Sequence, residues 1–524
     1  MRWLAALGAI MTALVIGHGQ GAAEAAPAPG LTDTFVASVA SPTAVESLPG
    51  GRVVVLEQDT GRVQIIDTST GQLLGAPAAQ LGVCAGGERG LLGFTHDPTF
   101  ATSGRVYVFY TRPSPSAPGG CVNRVSAFVM SGNTINVATE QVLIDNISSV
   151  NGNHNGGDLD IGADGFLYIS TGDAGGDPRG DSGSGGGNDA AQDLSLLNGK
   201  ILRLDRFTGA AAPGNPLTAL GAVTCGSRGN GPATPGTWCQ ELYAWGLRNP
   251  FRFAFDPNSP TTRFFINDVG QSTREEVDNG VPGANYGWNA REGQCPRGQN
   301  PPCAGPPFGV TDPIIDYPRS TGTFITAGAF VPNGSWPELA GGYLFADGGA
   351  GRIWLRAANG AVDYAEPILT DAYGLTDMAF VAEPTGTSLY YTLNGSSQVR
   401  KLRIGSLAAG GTLELGVAGV AGVPSDPVAV VLNMTVVNAR AAGFATVYPC
   451  GQPRPTASNL NFVAGQTIPN VVIAKPGVGG KVCVFSDSTV DVLADVAGFF
   501  PAGSGFTPSV NPTRILDTRN GIGI

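Results

Sequence analysis

The chain has 524 residues, which is enough for two or three domains and at least one large hydrophobic core. Its formal net charge is −11 without any block of like charges, so we do not expect the surface to attract nucleic acid or anionic lipid. The 78 glycines and 39 prolines exclude a mainly helical protein and suit many short strands joined by tight turns.

The first predicted element is a secretory signal peptide at residues 1–25. Arg2 supplies a positive end, Leu4 to Ile16 form an apolar stretch, and Ala23-Glu24-Ala25 make a small-x-small cleavage site. No later segment offers about 20 uninterrupted apolar residues, so no membrane span is predicted. We therefore expect an exported protein that is either secreted or attached to the cell surface by another route.

The cysteine pattern agrees with export. None of the eight cysteines has the CxxC spacing of a zinc or redox site, so structural disulfides are the favoured interpretation. Sequence alone leaves the connectivity open, and pairing between neighbours is our working guess. The neighbouring couples are Cys84 with Cys121, Cys225 with Cys239, Cys295 with Cys303, and Cys450 with Cys483.

Short predicted strands fill the chain from about Thr34 to residue 404. Apolar, β-branched or aromatic runs such as RVVVLEQ, RVYVFYT and FLYISTGD alternate with Gly, Asp, Asn and Pro turns. So many strands without helices leave a propeller, a pair of large sandwiches or a β-helix, and the irregular repeat lengths disfavour the β-helix. Long glycine-rich insertions suit propeller loops that build a site on one face.

The pattern changes near residue 405. Residues 405–501 contain about six strands, which is the scale of a single β-sandwich. Residues 502–524 either add a last strand or begin a further module. The fold prediction is therefore all-β, with a smaller β-sandwich domain after the larger one.

One histidine is the candidate for a proton acceptor at neutral pH. His18 falls in the predicted signal peptide and His96 in a turn-like string, which leaves His154 in GNHNGGDLDIGADGFLYISTGD. Asp173 ends the strand that follows. The structural alternatives are a histidine bonded to a turn carbonyl and an aspartate that caps a turn.

Seven strings, in the same order along residues 34–404, resemble the soluble quinoprotein sugar dehydrogenases, the glucose/sorbosone dehydrogenase family. The strings are GERGLLGFTHDPTF, NHNGGDLDIGADGFLYISTGD, LNGKILRLD, ELYAWGLRNPFRFAFDP, NDVGQSTREEVD, NYGW and DGGAGRIW. The resemblance implies a six-bladed β-propeller over residues 31–404. It also implies an enzyme that oxidises aldose sugars at C1 with pyrroloquinoline quinone (PQQ) and calcium.

The same resemblance assigns roles to the polar residues. His154 matches the family's base and Asp173 the carboxylate that orients it. Arg248 and Asn249, in GLRNP, match the pair that grips the quinone oxygens, where a guanidinium stabilises developing charge.

Three further positions match the family at the metal and at the substrate. Gly270 and Gln271 match the two positions whose backbone carbonyls hold the cofactor-side calcium, and carbonyl oxygens suit that hard cation. Glu88 stands where the family has a substrate-side amide, and its carboxylate changes the local charge. Trp288, in NYGW, is expected in a blade core rather than as a sugar platform.

The chain departs from the family where three cations bind the cofactor's carboxylates. The lysine position reads Gly349, and the paired arginine positions read Gly374 and Thr376. Charge-assisted hydrogen bonds contribute about 1.5–3 kcal/mol each, so losing three weakens cofactor binding by roughly 4–9 kcal/mol. The arginines that could substitute are Arg352, Arg274 and Arg179.

The C-terminal strings VVLNMTVVN, GFATVYPCG, ASNLNFVAGQTIPN and ILDTR resemble a β-rich module of exported actinobacterial proteins. Residues 515–523 look like the start of a second copy. We find no catalytic constellation in this part, so we expect it to attach or present the protein at the cell surface.

The primary hypothesis is an exported sugar dehydrogenase that uses PQQ and calcium and passes electrons to an external acceptor. The rival is a non-catalytic propeller that binds a glycan or a protein on the same face. A calcium-dependent lactonase or esterase is a third alternative, but the sequence offers no convincing set of side-chain metal ligands for it.

Overall fold

A computed structural model describes residues 26–28, 31–225, 236–336, 339–383, 386–405, 407, 409–420, 422–437 and 439–506. The predicted signal peptide and the end of the tail, residues 507–524, lie outside the described residues. The chain divides into two compact units between Arg403 and Ile404. Both are built almost wholly of antiparallel strands, which confirms the all-β prediction.

The described part of the first unit contains six antiparallel sheets of four or five strands and one two-stranded hairpin, and two N-terminal strands join the last two of the six. These strands are β1 (Ala26–Pro27) and β2 (Leu31–Ser38). The first sheet has β3 (Pro42–Leu48), β4 (Arg52–Glu57), β5 (Arg62–Asp67), β6 (Gln72–Leu73) and β7 (Ala79–Gln80). The second has β8 (Leu91–His96), β9 (Arg105–Pro113), β10 (Cys121–Ser131) and β11 (Thr134–Ser148). The third has β12 (Leu159–Ile161), β13 (Leu167–Thr171), β14 (Lys200–Leu204) and β15 (Leu242–Trp245).

The other three sheets follow in chain order. The fourth has β16 (Pro250–Phe255), β17 (Phe264–Asp268), β18 (Arg274–Asn279) and β21 (Ile315–Pro318). Between β18 and β21, strands β19 (Arg291–Glu292) and β20 (Cys295–Pro296) form a separate hairpin. The fifth has β22 (Ile325–Phe330), β23 (Tyr343–Asp347), β24 (Arg352–Arg356) and β25 (Leu369–Thr370), with β1 at its edge. The sixth has β26 (Leu375–Glu383), β27 (Gly386–Leu393) and β28 (Gln398–Ile404), and β2 completes it.

The first strand of each sheet contacts the first strand of the next, and β26 returns to β3. Hydrophobic side chains fill the space between neighbouring sheets, so most strands are buried on both faces. In β4, for example, all the residues from Val53 to Glu57 are buried. β-Branched and aromatic residues suit this setting because they pack well on a pleated surface.

Helical structure is scarce in the part of the chain that the structure describes. One four-residue α-helix, α1 (Phe100–Ser103), follows β8. The 3-10 turns are Pro118–Gly120, Gly185–Gly187, Thr218–Leu220 and Val478–Gly480. None of the described helices is long and apolar enough to cross a membrane.

The second unit has two antiparallel sheets with one shared core of valines, leucines and other apolar side chains. The larger sheet has β29 (Thr412–Gly416), β31 (Gly443–Pro449), β32 (Leu460–Phe462) and β34 (Lys481–Ser486). The smaller has β30 (Ala429–Val437), β33 (Ile468–Ala474) and β35 (Asp491–Phe500).

All four predicted neighbouring cysteine couples form disulfides. Three lie in the first unit and one staples β34 of the second unit to the end of β31. No described cysteine is free. The expectation of structural disulfides is confirmed.

Candidate active site

Loops that enter the first strand of an antiparallel sheet lie at the same end as loops that follow its second strand. Glu88, His154 and Arg248 precede the first strands β8, β12 and β16. Asp173 and Gly270 follow the second strands β13 and β17. The topology therefore brings five positions, widely separated in the sequence, to corresponding ends of three neighbouring sheets.

His154 and Asp173 form a buried pair. Nδ1 of the imidazole lies 2.7 Å from Oδ1 of Asp173, and the two residues are 5% and 0% exposed. A carboxylate at Nδ1 holds the ring proton on that nitrogen, which leaves Nε2 as a proton acceptor. This is the arrangement that general base catalysis needs.

The backbone of His154 is held in an unusual conformation. Its φ angle is +53°, in the left-handed region that non-glycine residues rarely adopt. Two hydrogen bonds hold this backbone: its N–H donates to Glu88 Oε2 over 2.7 Å, and its carbonyl accepts from Ala174 N over 3.1 Å. A Cβ on Gly172 would lie 2.1 Å from the same carbonyl, so this close approach needs glycine.

Asp173 is surrounded by hydrogen-bond donors. Oδ1 also accepts from Gly175 N over 2.8 Å, and Oδ2 accepts from the indole N–H of Trp288 over 2.8 Å. Burial alone would raise the pKa of this carboxyl, but the charge and hydrogen bond of His154 and the nearby charge of Arg248 lower it below its usual value. Asp173 is therefore a carboxylate at neutral pH.

Arg248 lies over the ring of Trp288. Its guanidinium is 5.6 Å from the centre of the indole ring, and its Nη1 and Nε donate to Val269 O (2.9 Å) and Gln271 Oε1 (3.1 Å). The carbonyl of Arg248 accepts from Asp173 N over 2.8 Å. His154 and Arg248 therefore converge, through Asp173 and Trp288, on one site.

Glu88 and Asn249 complete this cluster. Glu88 Oε2 accepts from Asn249 Nδ2 over 3.1 Å as well as from the backbone of His154. Asn249 Oδ1 accepts from Gly156 N over 3.1 Å. The side chain of Asn249 therefore ties the loops of three sheets together, in addition to any contact with a ligand.

Comparison with known proteins identifies the family. The family model described as Glucose / Sorbosone dehydrogenase matches residues 39–371. The chain belongs to this family.

Relatives of this family member include plant and bacterial proteins. The HIPL2 protein of Arabidopsis thaliana is 28% identical over 354 residues, which cover 57% of this chain and 47% of that protein. Aldose sugar dehydrogenase YliI of Escherichia coli (strain K12) is 26% identical over 266 residues, covering 50% of this chain and 63% of YliI. A crystal structure from Thermus thermophilus, described as an oxidoreductase (glucose dehydrogenase), shares 27% identity with a TM-score of 0.54. It covers 71% of this chain and 99% of its own. The chain thus spans about half the length of the curated relatives it matches.

Gly270 and Gln271, the predicted calcium positions, lie beside Arg248. The carbonyl of Gly270 accepts from Nη2 of Arg319 over 2.6 Å, and the side chain of Gln271 accepts from Arg248. A guanidinium already lies against one of the two carbonyls that were expected to hold the metal. This donor set does not fit a divalent cation at Gly270.

A buried carboxylate cluster behind Arg248 is a better donor set for a hard cation. Oxygens of Asp268, Glu276 and Asp278 lie within 4.8 Å of one another, and all three residues are buried. Neither oxygen of Asp278 has a hydrogen-bond partner among the described residues. Burial raises the pKa of Asp268 to about 7 and those of Glu276 and Asp278 well above the usual value. Carboxylate oxygens are the ligands that calcium prefers.

None of the three positions that lack the family's cations carries a charged side chain, and the backbone at the two glycines does not suit a larger residue. A Cβ on Gly349 would lie 1.7 Å from Thr323 Oγ1, and Gly374 has a φ of +74°. The hydroxyl of Thr376 donates to Pro42 O over 3.0 Å. The residues present therefore fit the quinone end of PQQ, through His154 and Arg248, but not its three carboxylates.

The suggested substitute arginines have other contacts. Arg274 pairs with Asp316, and Arg179 with Asp193 over 2.9 Å. Arg352 is exposed at the start of β24. Nothing in these contacts directs the three guanidiniums toward a cofactor.

Sequence reasoning missed two residues of the site. Trp288 is buried at 2% exposure, as expected for a core residue, but its indole N–H also donates to Asp173. Its position in NYGW gave no sign of that bond. Arg319 lies in an ordinary YPRST turn, so only the folded chain reveals its contact with Gly270.

Proposed function

We propose that the chain is an exported oxidoreductase that oxidises an aldose-type sugar at C1 with PQQ. The observation that carries this proposal is the buried His154–Asp173 pair, joined to Arg248 through Trp288. Family membership and the relative named aldose sugar dehydrogenase support it.

His154 acts as the base in this proposal. Asp173 keeps the ring proton on Nδ1, so Nε2 takes the proton of the C1 hydroxyl as the C1 hydride leaves. The sugar loses two electrons and two hydrogens and becomes a lactone. PQQ, when bound, supplies the two-electron acceptor chemistry, and an external acceptor then removes the electrons. Arg248 and Asn249 would hold the quinone end, where a guanidinium stabilises developing negative charge.

The missing cations set the expected affinity for PQQ. Without charged partners at Gly349, Gly374 and Thr376, three carboxylates lose charge-assisted hydrogen bonds of about 1.5–3 kcal/mol each. Binding that is nanomolar with all three cations becomes micromolar or weaker, since every 1.4 kcal/mol is about tenfold. The Asp268–Glu276–Asp278 cluster, rather than the Gly270 and Gln271 carbonyls, is the place that we propose for calcium.

We also propose a domain architecture, a cellular compartment and a mode of attachment for the protein. We propose that the six sheets are the blades of one propeller and that the two sheets after residue 404 form a β-sandwich module. The four disulfides support export to an oxidising compartment. Attachment at the cell surface through the second unit remains part of the proposal.

Aldose-dependent dye reduction tests the proposed reaction. The purified full chain is supplied with PQQ and calcium and assayed against a panel of aldoses. We expect activity with at least one aldose, a loss of at least about 100-fold in His154→Ala because a general base contributes about 10²–10⁴, and wild-type activity in Arg62→Gln, a surface change. Wild-type activity in His154→Ala would contradict the proposal.

The alternative is a non-catalytic propeller that binds a glycan or a protein at the cell surface. The absence of the three cofactor-binding cations, at positions that the structure describes, favours it. No spectral change of PQQ at tens of micromolar protein, together with retention on a glycan array, would select this alternative.

A further inference from the structure

An arginine of the protein contacts the Gly270 carbonyl, one of the two positions predicted to hold calcium. Arg319, just after β21, directs Nη2 at the Gly270 carbonyl over 2.6 Å and pairs with Glu275 Oε1 over 2.8 Å. The side chain of Glu275 is 0% exposed, and its second oxygen accepts from Ile325 N over 2.9 Å. The guanidinium is therefore anchored on a carboxylate that cannot move to solvent.

Glu275 gives a physical reason for an arginine at this place. Its side chain is completely buried, and the Arg319 guanidinium, 2.8 Å from Oε1, is the cation that pairs with it. A buried carboxylate without a counter-charge is strongly destabilising. Arg319 is thus held beside Gly270 by a requirement of the fold.

A calcium ion on the same carbonyl would conflict with this pair. Calcium binds oxygen at about 2.3–2.6 Å, so an ion on Gly270 O would lie within about 5 Å of Nη2. Like charges at that separation repel in a partly buried site, where screening by water is reduced.

We propose that Arg319 is the resident cation at the Gly270 carbonyl and takes the place of a calcium ion there. The Arg319 side chain is 27% exposed, so part of it can meet a ligand, although its Nε is buried without an acceptor among the described residues. Because guanidinium geometry matches carboxylates, Arg319 offers a binding point to an anionic group, such as one carboxylate of PQQ. The assignment of the cation does not rest on the proposed sugar oxidation.

Calcium binding without quinone or sugar tests this proposal. Metal-stripped wild type and Arg319→Gln are compared by equilibrium dialysis at millimolar calcium. We expect Arg319→Gln to bind one equivalent more than wild type, because the freed carbonyl and the uncompensated Glu275 become available. Arg319→Lys, which keeps the charge, should match wild type. Equal calcium contents in wild type and Arg319→Gln, including none in either, would overturn the proposal.

A matched control separates the local effect from the loss of a charge. Arg62 also pairs with a buried glutamate, Glu57, over 3.9 Å, so Arg62→Gln removes a similar guanidinium from another sheet and should match wild type. Glu275→Gln/Arg319→Gln removes the buried charge together with its partner. If thermal unfolding shows that Arg319→Gln does not fold, the double variant is compared with wild type instead. In the double variant the Gly270 carbonyl is free but residue 275 adds no charge, so the extra equivalent over wild type and Arg62→Gln is still expected, at a higher calcium concentration.

Discussion

Trp288 contacts both halves of the candidate active site. Its indole N–H donates to Asp173 Oδ2 over 2.8 Å, and the guanidinium of Arg248 lies 5.6 Å from the ring centre. Asp173 is completely buried, so an oxygen without a donor cannot turn to water for one. The orientation of His154 therefore depends on a residue that does not itself exchange a proton.

Trp288→Phe tests this role. The ring is kept but the donor is lost, so Asp173 is free to rotate away from His154. We expect kcat to fall about tenfold with KM changed less than kcat, measured by steady-state dye reduction. Trp336→Phe is the control, because Trp336 is also buried and donates its indole N–H to a backbone carbonyl, that of Thr387, outside the site. Equal kcat losses in both variants would show that Trp288 acts only through packing.

The sequence predicted individual site residues unevenly. His154 could be found because histidine is scarce, and Asp173 because it matches a family position; the β12–β13 hairpin between them returns both to the same end of the sheet. Trp288 and Arg319 could not, since their contacts cross between loops that are 115 and 49 residues apart in sequence. Such contacts follow from tertiary packing, which leaves no local pattern.

The first strands of three sheets carry buried or half-buried acidic side chains, on the strand or directly before it, which the sequence did not predict. Glu46, Asp158, Asp160 and Asp377 line a cavity of about 260 Å³, and Arg252 pairs with Asp377 over 3.3 Å. Burial raises the pKa of Asp158 to about 7 and of Asp160 to about 6, and it also raises those of Glu46 and Asp377. Acids with raised folded-state pKa values hold protons that the unfolded chain has lost, so stability falls as the pH rises from about 4 to 7.

Asp160→Asn tests this pH dependence. The residue's Oδ1 already accepts from Thr95 Oγ1 and Ile161 N, at 3.0 and 2.7 Å, and an amide oxygen can keep both bonds. We expect the Tm to rise by about 1–2 °C at pH 8 and to stay near wild type at pH 4.5. Asp363→Asn, at an exposed carboxylate, should change neither value. A lower Tm for Asp160→Asn at pH 8 would refute the account of this cavity.

Strands were predictable from the sequence where the local hydrophobic pattern determines them. Runs such as RVVVLE, RVYVFYT and KVCVFS are strands in the structure, because β-branched and aromatic side chains pack between sheets. The pairing of the N-terminal strand β2 with the sixth sheet was not predictable. Strand β2 pairs with β28, more than 360 residues later, and no local signal marks that partner.

For the whole molecule, the all-β class followed from composition and strand pattern, and the guessed pairing of neighbouring cysteines agrees with the structure, while the functional conclusion needs the site. The resemblance to the family supplied His154, Asp173, Arg248 and Asn249, and the topology brings these residues together. It also supplied calcium at Gly270, where the structure instead has Arg319. Chain-wide likeness therefore predicted a pair of residues that the structure brings together, but it did not predict the arginine at Gly270.

The most direct measurement is single-turnover reduction of bound PQQ by an aldose, followed by absorbance without any external acceptor. We expect stoichiometric reduction in wild type and in Arg62→Gln. We expect no reduction over the same interval in His154→Ala with PQQ still bound. Reduction at the wild-type rate in His154→Ala, or bound PQQ in wild type that no aldose reduces, would contradict the role of His154 as the base in sugar oxidation.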